Sequence, residues 1–524
     1  MNVDVDVAIA GFGPGGQMLA SLLGAAGHQV VVLERFEAPY GLPRMSTLDG
    51  EIARLLQHAA DGEAALSECL PQTSGDLYGA DDKIAIRADW GGRICGHPSR
   101  LSLHQPHIEA AMAARIETYP NVRVMWNSEV VGLDNRDSGV ALSVVPASDH
   151  KRGVEGPVTE IRARYVVGMD GAASFVRRAL GIDIETLHSH DDRWYLTDFD
   201  ILDDQMEEPR TEIHMQPDGP FYWGPNGARR CRTDVRLPDD CDPADFADAE
   251  HGYAWLEDHL GIPREKVRLT RRVLYRFRSQ YATSFQDGRV FIGGDAAHAM
   301  TPFMAQGSCS AMRDSANLAW KLDLVLSGRA REALLDTYEP ERLTHVIPFV
   351  EGSLSTWSVL SELDHDKAAG RDAFLRSGQA SLPAPPGLTV GLLHRDEQGE
   401  VSAPVGLLSP QSRVRRDGTV SLLDDQTGFG FQVVSRLHLD EVLTPELREG
   451  LALLGAHLIE IGVGEGQVQD LDGDYDAFFD RYGVECYVSR PDFYVFGAAA
   501  DSTRARSVLE DLLTQIGVRN TIAT

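Results

Sequence analysis

The chain has 524 residues, more than one hydrophobic core usually holds, and this length predicts two or three domains. A hydrophobic fraction of 43% and a charged fraction of 24% are typical of a soluble globular protein. The formal net charge of −30 argues against nucleic acid and anionic membranes as partners, because binding phosphates requires clustered Lys and Arg.

The six cysteines form no metal-binding pattern. They are Cys69, Cys95, Cys231, Cys241, Cys309 and Cys486, without a CxxC pair or a Cys/His metal spacing. This usage predicts reduced thiols in a cytoplasmic protein that has no metal site. The first residues lack the basic segment of a signal peptide, and no run of about 18 apolar residues predicts a membrane span.

The chain opens with a strand, a glycine-rich turn, a helix and a second strand, the regular elements being predicted at 5–10, 15–26 and 29–33. The turn contains Gly11, Gly13 and Gly16 in the spacing G-x-G-x-x-G. In a dinucleotide site these glycines permit a tight turn, a close approach to a pyrophosphate and close helix–strand packing. Glu34 follows the second strand, where an acid binds the adenosine ribose. The unit therefore predicts a site for FAD or NAD, an ordinary glycine-rich turn being the alternative.

A second acidic turn follows the next group of elements. The pattern predicts a helix at 105–118, strands at 122–126 and 140–145, and a buried strand that runs into a turn within 163–174. Asp170 and Gly171 stand at the end of that strand, and Arg177 and Arg178 follow in a helical run. Taken alone, this turn favours a helix N-cap over a ligand site.

The segment from 186 to 280 has a different texture, because short alternating stretches are separated by turns such as PDGP and GPNG. It predicts an antiparallel sheet, which residues 75–100 are expected to join. One stretch, RRCRTDVR, places alternate charged residues on one strand face, and a solvated face is the favoured interpretation. These residues are Arg230, Arg232, Asp234 and Arg236.

The chain returns to the first domain at 288–325. A strand at 290–292 runs into GGDAAHAMTPFMAQG, residues 293–307, which we call the Gly-Asp loop, and a helix follows from Ser308. The carboxylate of Asp295 suits the hydroxyls of a flavin ribityl chain, and the helix N-terminus suits a flavin pyrimidine that becomes anionic on reduction. NAD offers neither group, so the loop favours a flavin.

The last third of the chain predicts helices, a linker and a compact block. Helices are expected over 336–377, and the Pro-, Gly- and Ser-rich segment 378–411 predicts a linker. The block is expected to contain strands at 429–434, 457–461, 484–489 and 493–496, and helices at 443–454, 474–482 and 501–516. Asp501 or Ser502 is the expected N-cap of the last helix. The stretch IGVGEGQ at 461–467 has the wrong spacing for a second nucleotide site and predicts a loop.

The chain resembles the single-component class A FAD-dependent aromatic hydroxylases in three ordered stretches: GFGPGG, GMDGAASFVR, and GGDAAHAMTPFMAQG with RDSANLAWKL. Further landmarks of the family are similar to PRMSTLDGE at 43–51 and HQPHIE at 104–109, and the resemblance covers residues 3–350. The C-terminal block, with RPDFYVFG at 490–497, resembles the thioredoxin-like domain of the branch that includes phenol hydroxylases and 3-(3-hydroxyphenyl)propionate hydroxylases.

The resemblance implies an α/β fold with three parts. A Rossmann-like FAD-binding domain of the glutathione-reductase type, with a βαβ opening, comprises 1–74, 101–185 and 281–377. An antiparallel-sheet substrate domain is inserted into it and comprises 75–100 and 186–280. A linker at 378–411 leads to a thioredoxin-like α/β domain at 412–524, which has no CxxC and therefore cannot run dithiol exchange.

The resemblance also implies the cofactor contacts. By position they are Gly11, Gly13, Pro14, Gly15, Gly16, Glu34, Arg35, Arg44, Gln105, Asp170, Asp295, Ala305, Gln306, Gly307, Ser308 and Cys309. The glycine-rich turn with Glu34 and Arg35 would hold the ADP half, and Arg44 and Gln105 would lie along the pyrophosphate and ribityl path. Asp295 would bind the ribityl chain, and Asp170 would be mainly architectural.

The chain departs from the family at two of these positions. Ala305 stands where the family usually has glycine, and Cys309 stands where many members have asparagine. The Cβ of Ala305 adds bulk where the backbone approaches the flavin, and it disfavours a positive φ.

The implied activity is hydroxylation of a phenolic or heteroaromatic substrate through a flavin C4a-hydroperoxide, with FAD as cofactor and NADH or NADPH and O2 as co-substrates. The catalytic candidates are Pro302, His298 and Tyr222, Pro302 being placed beside the reactive flavin edge. A structural role is favoured for His298, because the family carries this histidine in a packed loop whatever the substrate. The candidate substrate contacts are Met215, Tyr222, Trp223, Pro302 and Met304, with core packing as the alternative for the two aromatic residues.

Three alternatives stay open at this stage. The same fold supports Baeyer–Villiger oxidation, epoxidation or oxidative ring opening. An NAD-dependent dehydrogenase would explain Gly11 to Glu34 but not Asp170 and Asp295. A non-catalytic flavin- or ligand-binding protein is compatible with the departures at Ala305 and Cys309. The expected partner is a small aromatic molecule, with no nucleic acid and no membrane, and the protein is expected to be a monomer or a homodimer.

Overall fold

The computed structural model describes residues 4–151, 156–189, 192–239, 241–242, 248–380 and 385–518. Its α-helices are Pro14–Ala25, Gly50–Ala59, Gly62–Leu66, Gln105–Glu117, Ala147–Lys151, Phe175–Ala179, Ala249–Leu260, Gly307–Leu326, Tyr338–Leu360, His365–Arg376, Leu423–Thr427, Leu439–Val442, Pro445–Leu454, Asp474–Tyr482 and Ser502–Ile516. Short 3-10 turns occupy Arg264–Lys266, Gly294–Ala296, Pro302–Met304 and Glu332–Thr337. Within the described ranges, none of the helices has the length and apolarity to cross a membrane.

An eight-stranded mixed sheet positions the glycine-rich turn. Its main path runs Val122–Met125, Val30–Leu33, Val5–Ala10, Thr159–Gly168, Gly139–Pro146 and Ser128–Arg136, and Val290–Ile292 and Gln286–Asp287 join beside Thr159–Gly168. The register pairs Ala10 with both Leu33 and Gly168, and Gly168 with Ile292. These parallel strands therefore end at one edge of the sheet, and the turns that follow them meet there, as is usual for ligand sites in open α/β sheets.

The first elements form as their residues predict. Strands VDVAIA and VVVL are rich in β-branched residues and are buried, which suits parallel strands covered on both faces. Pro14 begins the first helix, where its missing N–H costs no hydrogen bond. The observed bounds lie within one residue of the predicted ones.

A seven-stranded sheet contains both segments that were expected to share one. In spatial order its strands are Val267–Tyr275, Trp194–Ile201, Arg230–Arg236, Phe221–Pro225, Thr211–His214, Ser74–Tyr78 and Ile84–Asp89. Neighbouring strands are antiparallel, except that Thr211–His214 runs parallel to Ser74–Tyr78. Smaller sheets accompany these two in the described part of the chain. One is formed by Thr47–Asp49, Arg100–Ser102 and Leu70–Pro71, and another is the pair Arg93–Ile94 and His97–Pro98. A further one is formed by Ile184–Ser189, Arg278–Ala282 and His298–Ala299.

The C-terminal block is the predicted α/β unit. Its four-stranded sheet runs His457–Glu460, Gln432–Ser435, Cys486–Ser489 and Val495–Ala499. Asp501 caps the last helix by accepting a hydrogen bond from the backbone N–H of Arg504. A small sheet of Thr419–Leu422, Arg413–Arg416 and Gln469–Asp470 was not expected. The stretch 461–467 is a loop, as predicted.

The segment 378–411 corrects the linker prediction in one respect. Its described residues form no helix or strand, as the composition suggested. They are nevertheless packed into the protein, because Leu388, Leu392 and Leu393 are buried. The buried core also continues from the eight-stranded sheet into the C-terminal block, where Trp320 meets Phe431 edge-on at a centroid distance of 5.5 Å. The block is therefore part of the molecule's core.

Candidate cofactor site

A cavity of about 550 Å³ lies at the edge where the parallel strands end. It brings together residues that are far apart in the chain and that the sequence placed at a cofactor. The predicted residues that line it are Gly11, Gly13, Pro14, Gly15, Gly16, Glu34, Arg35, Arg44, Gln105, Asp170, Asp295 and Ser308. Ala305, Gln306, Gly307 and Cys309 do not line this cavity.

The glycine-rich turn has the geometry of a phosphate cradle. Gly11 has φ +105, and a Cβ there would lie 2.3 Å from the carbonyl oxygen of Met169. A Cβ on Gly16 would lie 2.1 Å from the carbonyl oxygen of Gly11. A Cβ on Gly13 would meet no atom within 4 Å, so this backbone borders open space in front of a helix N-terminus. The turn thus fits a pyrophosphate.

Glu34 is held in position by the backbone around it. Its Oε2 accepts a hydrogen bond from Phe12 N at 2.7 Å, and its Oε1 accepts one from Phe36 N at 3.0 Å. Each carboxylate oxygen has a further lone pair, so the group remains able to accept from a ribose hydroxyl. Arg35 and Arg44 also line the cavity and supply positive charge for phosphates.

Gln105 fixes the segment that carries Arg44. The side-chain oxygen of Gln105 accepts hydrogen bonds from the backbone N–H groups of Arg44, at 2.7 Å, and Met45, at 2.8 Å. Its nitrogen donates to Glu109 Oε1 at 3.1 Å, and burial raises the pKa of Glu109. Gln105 is therefore a positioning group as well as a cavity residue.

The two aspartates that the sequence placed at strand ends both reach the cavity. Asp170 Oδ2 accepts hydrogen bonds from Phe175 N and Val176 N, at 2.7 and 3.1 Å, so Asp170 binds the first turn of this helix, while the N-cap residue itself is Ser174. Asp170 Oδ1 is buried without a hydrogen-bond partner among the described residues. Asp295 is exposed to the cavity, and the protein atoms that crowd around the cavity raise its pKa, against the lowering effect of His298 and Arg44. These acceptors fit a ligand rich in hydroxyl groups.

The end of the Gly-Asp loop turns sharply before the helix. Pro302–Met304 forms a 3-10 turn, and Ala305 follows in the left-handed conformation with φ 56 and ψ 29. The backbone thus keeps the positive φ that glycine favours, and Ala305 bears the strain of about 1 kcal/mol that this conformation imposes on a residue with a Cβ. The side chain of Cys309 is buried below the loop, where burial raises the pKa of its thiol to about 12.

Comparison with known proteins decides the family. A family profile described as an FAD binding domain matches residues 4–353, well over half of the chain. The chain is also 32% identical over 526 residues to a probable NADH-specific resorcinol 4-hydroxylase of Rhodococcus jostii (strain RHA1), an overlap of 98% of this chain and 95% of that protein. The chain belongs to the FAD-dependent aromatic hydroxylases.

Further matches extend this assignment to the C-terminal block and the fold. The block, at residues 406–515, matches a profile described as the HcaD C-terminal domain. A 3-(3-hydroxy-phenyl)propionate/3-hydroxycinnamic acid hydroxylase of Mycolicibacterium gilvum (strain PYR-GCK) is 30% identical, over 98% of this chain and 92% of that protein. The solved structure of the flavin-dependent monooxygenase PieE with FAD and substrate has the same fold, with a TM-score of 0.80 and 20% identity over 99% of this chain and 100% of that one. The predicted class A hydroxylase family is confirmed, and the matched FAD binding domain includes the glycine-rich turn.

His298 takes the structural position that the sequence favoured in this hydroxylase fold. It is buried, does not line the cavity, and bonds through Nε2 to Asp314 Oδ2 at 2.7 Å. Asp314 also accepts from Gly294 N at 2.8 Å and from Arg342 Nε at 2.7 Å. Burial raises the pKa of Asp314, but His298 and Arg342 outweigh burial and hold it at about 2. His298 thus fixes the start of the Gly-Asp loop rather than facing a ligand.

A buried hydrogen-bond chain, which we call the Tyr494 chain, continues from there through the C-terminal block. Its members are Asp314, Arg342, His345, Tyr494, Glu51, Arg313 and Gln306, joined in that order by contacts of 2.6–3.1 Å. One end holds the start of the Gly-Asp loop and the other end holds Gln306 near its close. The side chain of Gln306 is therefore engaged with Arg313, and the sequence showed no sign of this chain.

The centre of the charged strand face, Arg232 and Asp234, is buried, while Arg230 and Arg236 are partly exposed, so the expectation of a solvated face is wrong at its centre. Arg232 donates to Asp198 Oδ1 at 2.7 Å and to the carbonyl oxygen of Pro43 at 2.9 Å. Arg271 donates to the same carbonyl at 2.5 Å. The seven-stranded sheet therefore turns this face toward the segment that carries Arg44, and Asp234 lies buried on it with Oδ1 unpartnered among the described residues.

The predicted substrate contacts divide between the two faces of that sheet. Tyr222 pairs across the strands with Asp234 on the buried face, and burial raises its pKa to about 12. Trp223 points to the opposite face, where it stacks on Phe199 at 6.4 Å and packs with the core beneath the helix Ala249–Leu260. Met215 is fully buried in a core cluster with Leu360. The structure therefore does not bring Trp223 and Met215 together with Tyr222 in one pocket.

The loop residues Pro302 and Met304 also differ in their surroundings. Pro302 is exposed, so its ring is open to a ligand. Met304 packs against the helix Tyr338–Leu360. Its sulfur lies so close to Gly352 that a Cβ at that position would be 3.1 Å away. Phe303 packs against Trp194 and Phe277 at centroid distances of 5.1 and 5.7 Å, which shields this side of the loop from water.

Proposed function

We propose that the protein hydroxylates a small phenol, with FAD held in the described cavity and NADH as the electron donor. The observation that carries this proposal is the convergence of the glycine-rich turn, Asp170 and Asp295 on one cavity in a chain of this family. NADH is proposed over NADPH because a relative identical at 32% bears the name of an NADH-specific enzyme.

The cavity residues divide the binding of FAD among them. We assign the ribose to Glu34, the pyrophosphate to Gly13 and the helix N-terminus, and the ribityl hydroxyls to Asp295 and the unpartnered Oδ1 of Asp170. Bound FAD supplies the reduction of O2 and the transfer of one oxygen atom to an aromatic ring.

The chain's own residues orient the ring and keep water out. Pro302 is exposed at the Gly-Asp loop, and we assign it a contact with the flavin ring and the aromatic substrate. Phe303, packed against Trp194 and Phe277, forms an apolar wall beside it. Tyr222 and Asp234 pair across neighbouring strands on the buried side of the seven-stranded sheet, and burial raises the pKa of Asp234 to about 7. Asp234 is therefore the candidate acceptor for a phenol proton near neutral pH.

The test compares electron use with product formation. Purified protein loaded with FAD is mixed with each member of a phenol panel, and the rates of NADH and NADPH oxidation are measured with the yield of hydroxylated product. We expect one or more phenols to raise the rate of NADH oxidation by at least tenfold, with matching product. Oxidation that no phenol stimulates, or that yields only hydrogen peroxide, would contradict the proposal. The cytoplasmic location and the choice between monomer and homodimer stay predictions.

A further inference from the structure

Arg44 leaves the backbone at the border between an exposed loop and the protein core. Residues 37–42 before it are exposed, Pro43 is buried, and Arg44 is exposed again where it lines the cavity. Its guanidinium carbon lies 4.3 Å from the centroid of the Tyr40 ring, which lines the same cavity. The place of this cationic group in the cavity therefore depends on what holds the backbone of Pro43 and Arg44.

The carbonyl groups of this segment are held by two arginines of the seven-stranded sheet. Arg232 donates to the carbonyl oxygen of Pro43 at 2.9 Å and, through its other Nη, to that of Arg44 at 2.8 Å. Arg271, from a strand two positions away in the sheet, donates to the Pro43 carbonyl at 2.5 Å. A carbonyl oxygen has two lone pairs, and that of Pro43 thus meets two charged donors, which bind more strongly than neutral ones.

Both arginines are themselves fixed. Asp198, on the strand between them, accepts from Arg232 Nε at 2.7 Å and lies 3.6 Å from Arg271 Nη1. Arg271 also donates to Tyr275 Oη at 2.8 Å. Arg232, Arg271 and Asp198 are each at most 6% exposed. Their packing leaves them no freedom to follow a moving backbone, so they determine where the Pro43 carbonyl points.

The N–H groups of the same segment are held from the other side. Gln105 Oε1 accepts from Arg44 N at 2.7 Å and from Met45 N at 2.8 Å. Gln105 begins the helix Gln105–Glu117, which is separate from the seven-stranded sheet. Both the N–H and the C=O of Arg44 are therefore engaged, and the direction in which its side chain leaves the backbone is set by two parts of the fold together.

We propose that Arg232 and Arg271 are positioning residues for FAD, which act from the seven-stranded sheet by directing Arg44 toward the phosphates. The proposal rests on the proposed function, since it concerns the cofactor of the same cavity. Neither arginine is among the residues that line that cavity, so each acts through Arg44. A charge-assisted hydrogen bond requires a narrow range of distance, and a displaced Arg44 backbone would lose part of its contact with a phosphate.

The test is a double-mutant cycle on the Kd for FAD, measured by titration of FAD into the FAD-free protein. The variants are Arg271→Gln, Arg44→Gln and the double variant. We expect Arg44→Gln to raise the Kd about tenfold and Arg271→Gln about fivefold, as for the loss of all or part of one charge-assisted hydrogen bond. The double variant should stay within about twofold of Arg44→Gln alone, because effects that pass through one residue do not add.

The matched control is Arg268→Gln, which removes an exposed arginine of the same strand that pairs with Asp200 at 2.7 Å. It should leave the Kd for FAD unchanged. Arg271→Lys keeps a positive charge beside Asp198 and should raise the Kd less than Arg271→Gln does, because lysine keeps the charge but not the planar set of donors. If Arg271→Gln does not fold, the same cycle is run with Arg271→Lys.

The outcomes separate positioning from a general role in folding. A general role weakens FAD binding equally with and without Arg44, so a double variant about fiftyfold weaker than the unmodified protein would overturn the proposal. An unchanged Kd for FAD in Arg44→Gln, or in both variants of Arg271, would also overturn it. An unmodified protein that binds no FAD would instead contradict the proposed function.

Discussion

Removal of the Tyr494 hydroxyl tests whether the C-terminal block holds the Gly-Asp loop in position. Tyr494 is buried, and its Oη lies 3.0 Å from Glu51 Oε1 and 3.1 Å from His345 Nε2. Glu51 accepts from Arg313 Nε at 2.6 Å, and Arg313 donates to Gln306 Oε1 at 2.8 Å. Tyr494→Phe cuts the Tyr494 chain in its middle while it keeps the aromatic ring in place.

The expected loss follows from the type of hydrogen bond. A hydroxyl that donates to a buried charged acceptor contributes about 1.5–3 kcal/mol, and we expect the free energy of unfolding to fall by about 2 kcal/mol. If the lost hydrogen bond is coupled to FAD binding at the Gly-Asp loop by about 1 kcal/mol, the Kd for FAD rises about fivefold. The two quantities are measured by urea unfolding of the FAD-free protein and by titration of FAD into it.

The matched control is Tyr487→Phe. The Oη of Tyr487 is buried without a hydrogen-bond partner among the described residues, so its removal leaves no acceptor unsatisfied. We expect that variant to keep or slightly increase stability and to bind FAD as the unmodified protein does. Tyr494→Phe with unchanged unfolding and unchanged FAD binding would refute the claim that the Tyr494 chain positions the loop.

Three further predictions concern the same loop. Asp295→Asn removes the charge that faces the cavity, and we expect FAD to dissociate on dialysis, with at least a tenfold higher Kd; retention of FAD would contradict the assignment. Ala305→Gly relieves the left-handed strain and should raise the free energy of unfolding, measured with urea, by up to about 1 kcal/mol. The control is Ala26→Gly, at φ −74, which relieves no strain and should lower the free energy of unfolding by about 0.5–1 kcal/mol in the same assay. The pKa of Asp314 is about 2 in the folded protein against an ordinary 3.8, so its stabilising effect is complete above about pH 4 and is lost as the pH falls toward 2. Asp314→Asn should therefore show a flatter loss of stability on acidification, and an unchanged acid profile would be inconsistent with this role.

The sequence predicted the parts of the site that depend on local pattern. The glycine spacing, Glu34 after the second strand and Asp295 after the strand at 290–292 are all set within short segments, and the parallel register brings their ends together. Asp170 illustrates both the strength and the limit of this reasoning. Its contact with the first turn of the helix follows from nearby residues, while its unpartnered Oδ1 becomes visible only where the other turns meet it.

The misjudged residues depend on contacts between distant segments. Alternation correctly places Arg232 and Asp234 on one strand face, but it does not tell what covers that face. The cover includes Pro43, 189 residues away from Arg232 in the chain. Trp223 neighbours Tyr222 in sequence and therefore points to the opposite face of the sheet, which separates two residues that were expected to share a pocket.

The Tyr494 chain and the buried segment 378–411 had no local signal. Tyr494 and Glu51 are 443 residues apart. Both lie in stretches that resemble the family, 490–497 and 43–51, but neither stretch indicates that the two residues meet. The composition of 378–411 predicts the absence of helices and strands, since Pro and Gly disfavour both. Burial of Leu388 and Leu393 depends instead on the surfaces that the C-terminal block presents, which are formed only in the folded protein.

The most direct test of the central claim follows one oxygen atom. FAD-loaded protein is supplied with NADH, a phenol that stimulates NADH oxidation, and isotopically labelled O2, and the product is analysed by mass spectrometry. We predict one labelled oxygen atom in the new ring hydroxyl and no labelled product without FAD. Label found only in hydrogen peroxide and water, with no labelled ring for any phenol tested, would contradict the account.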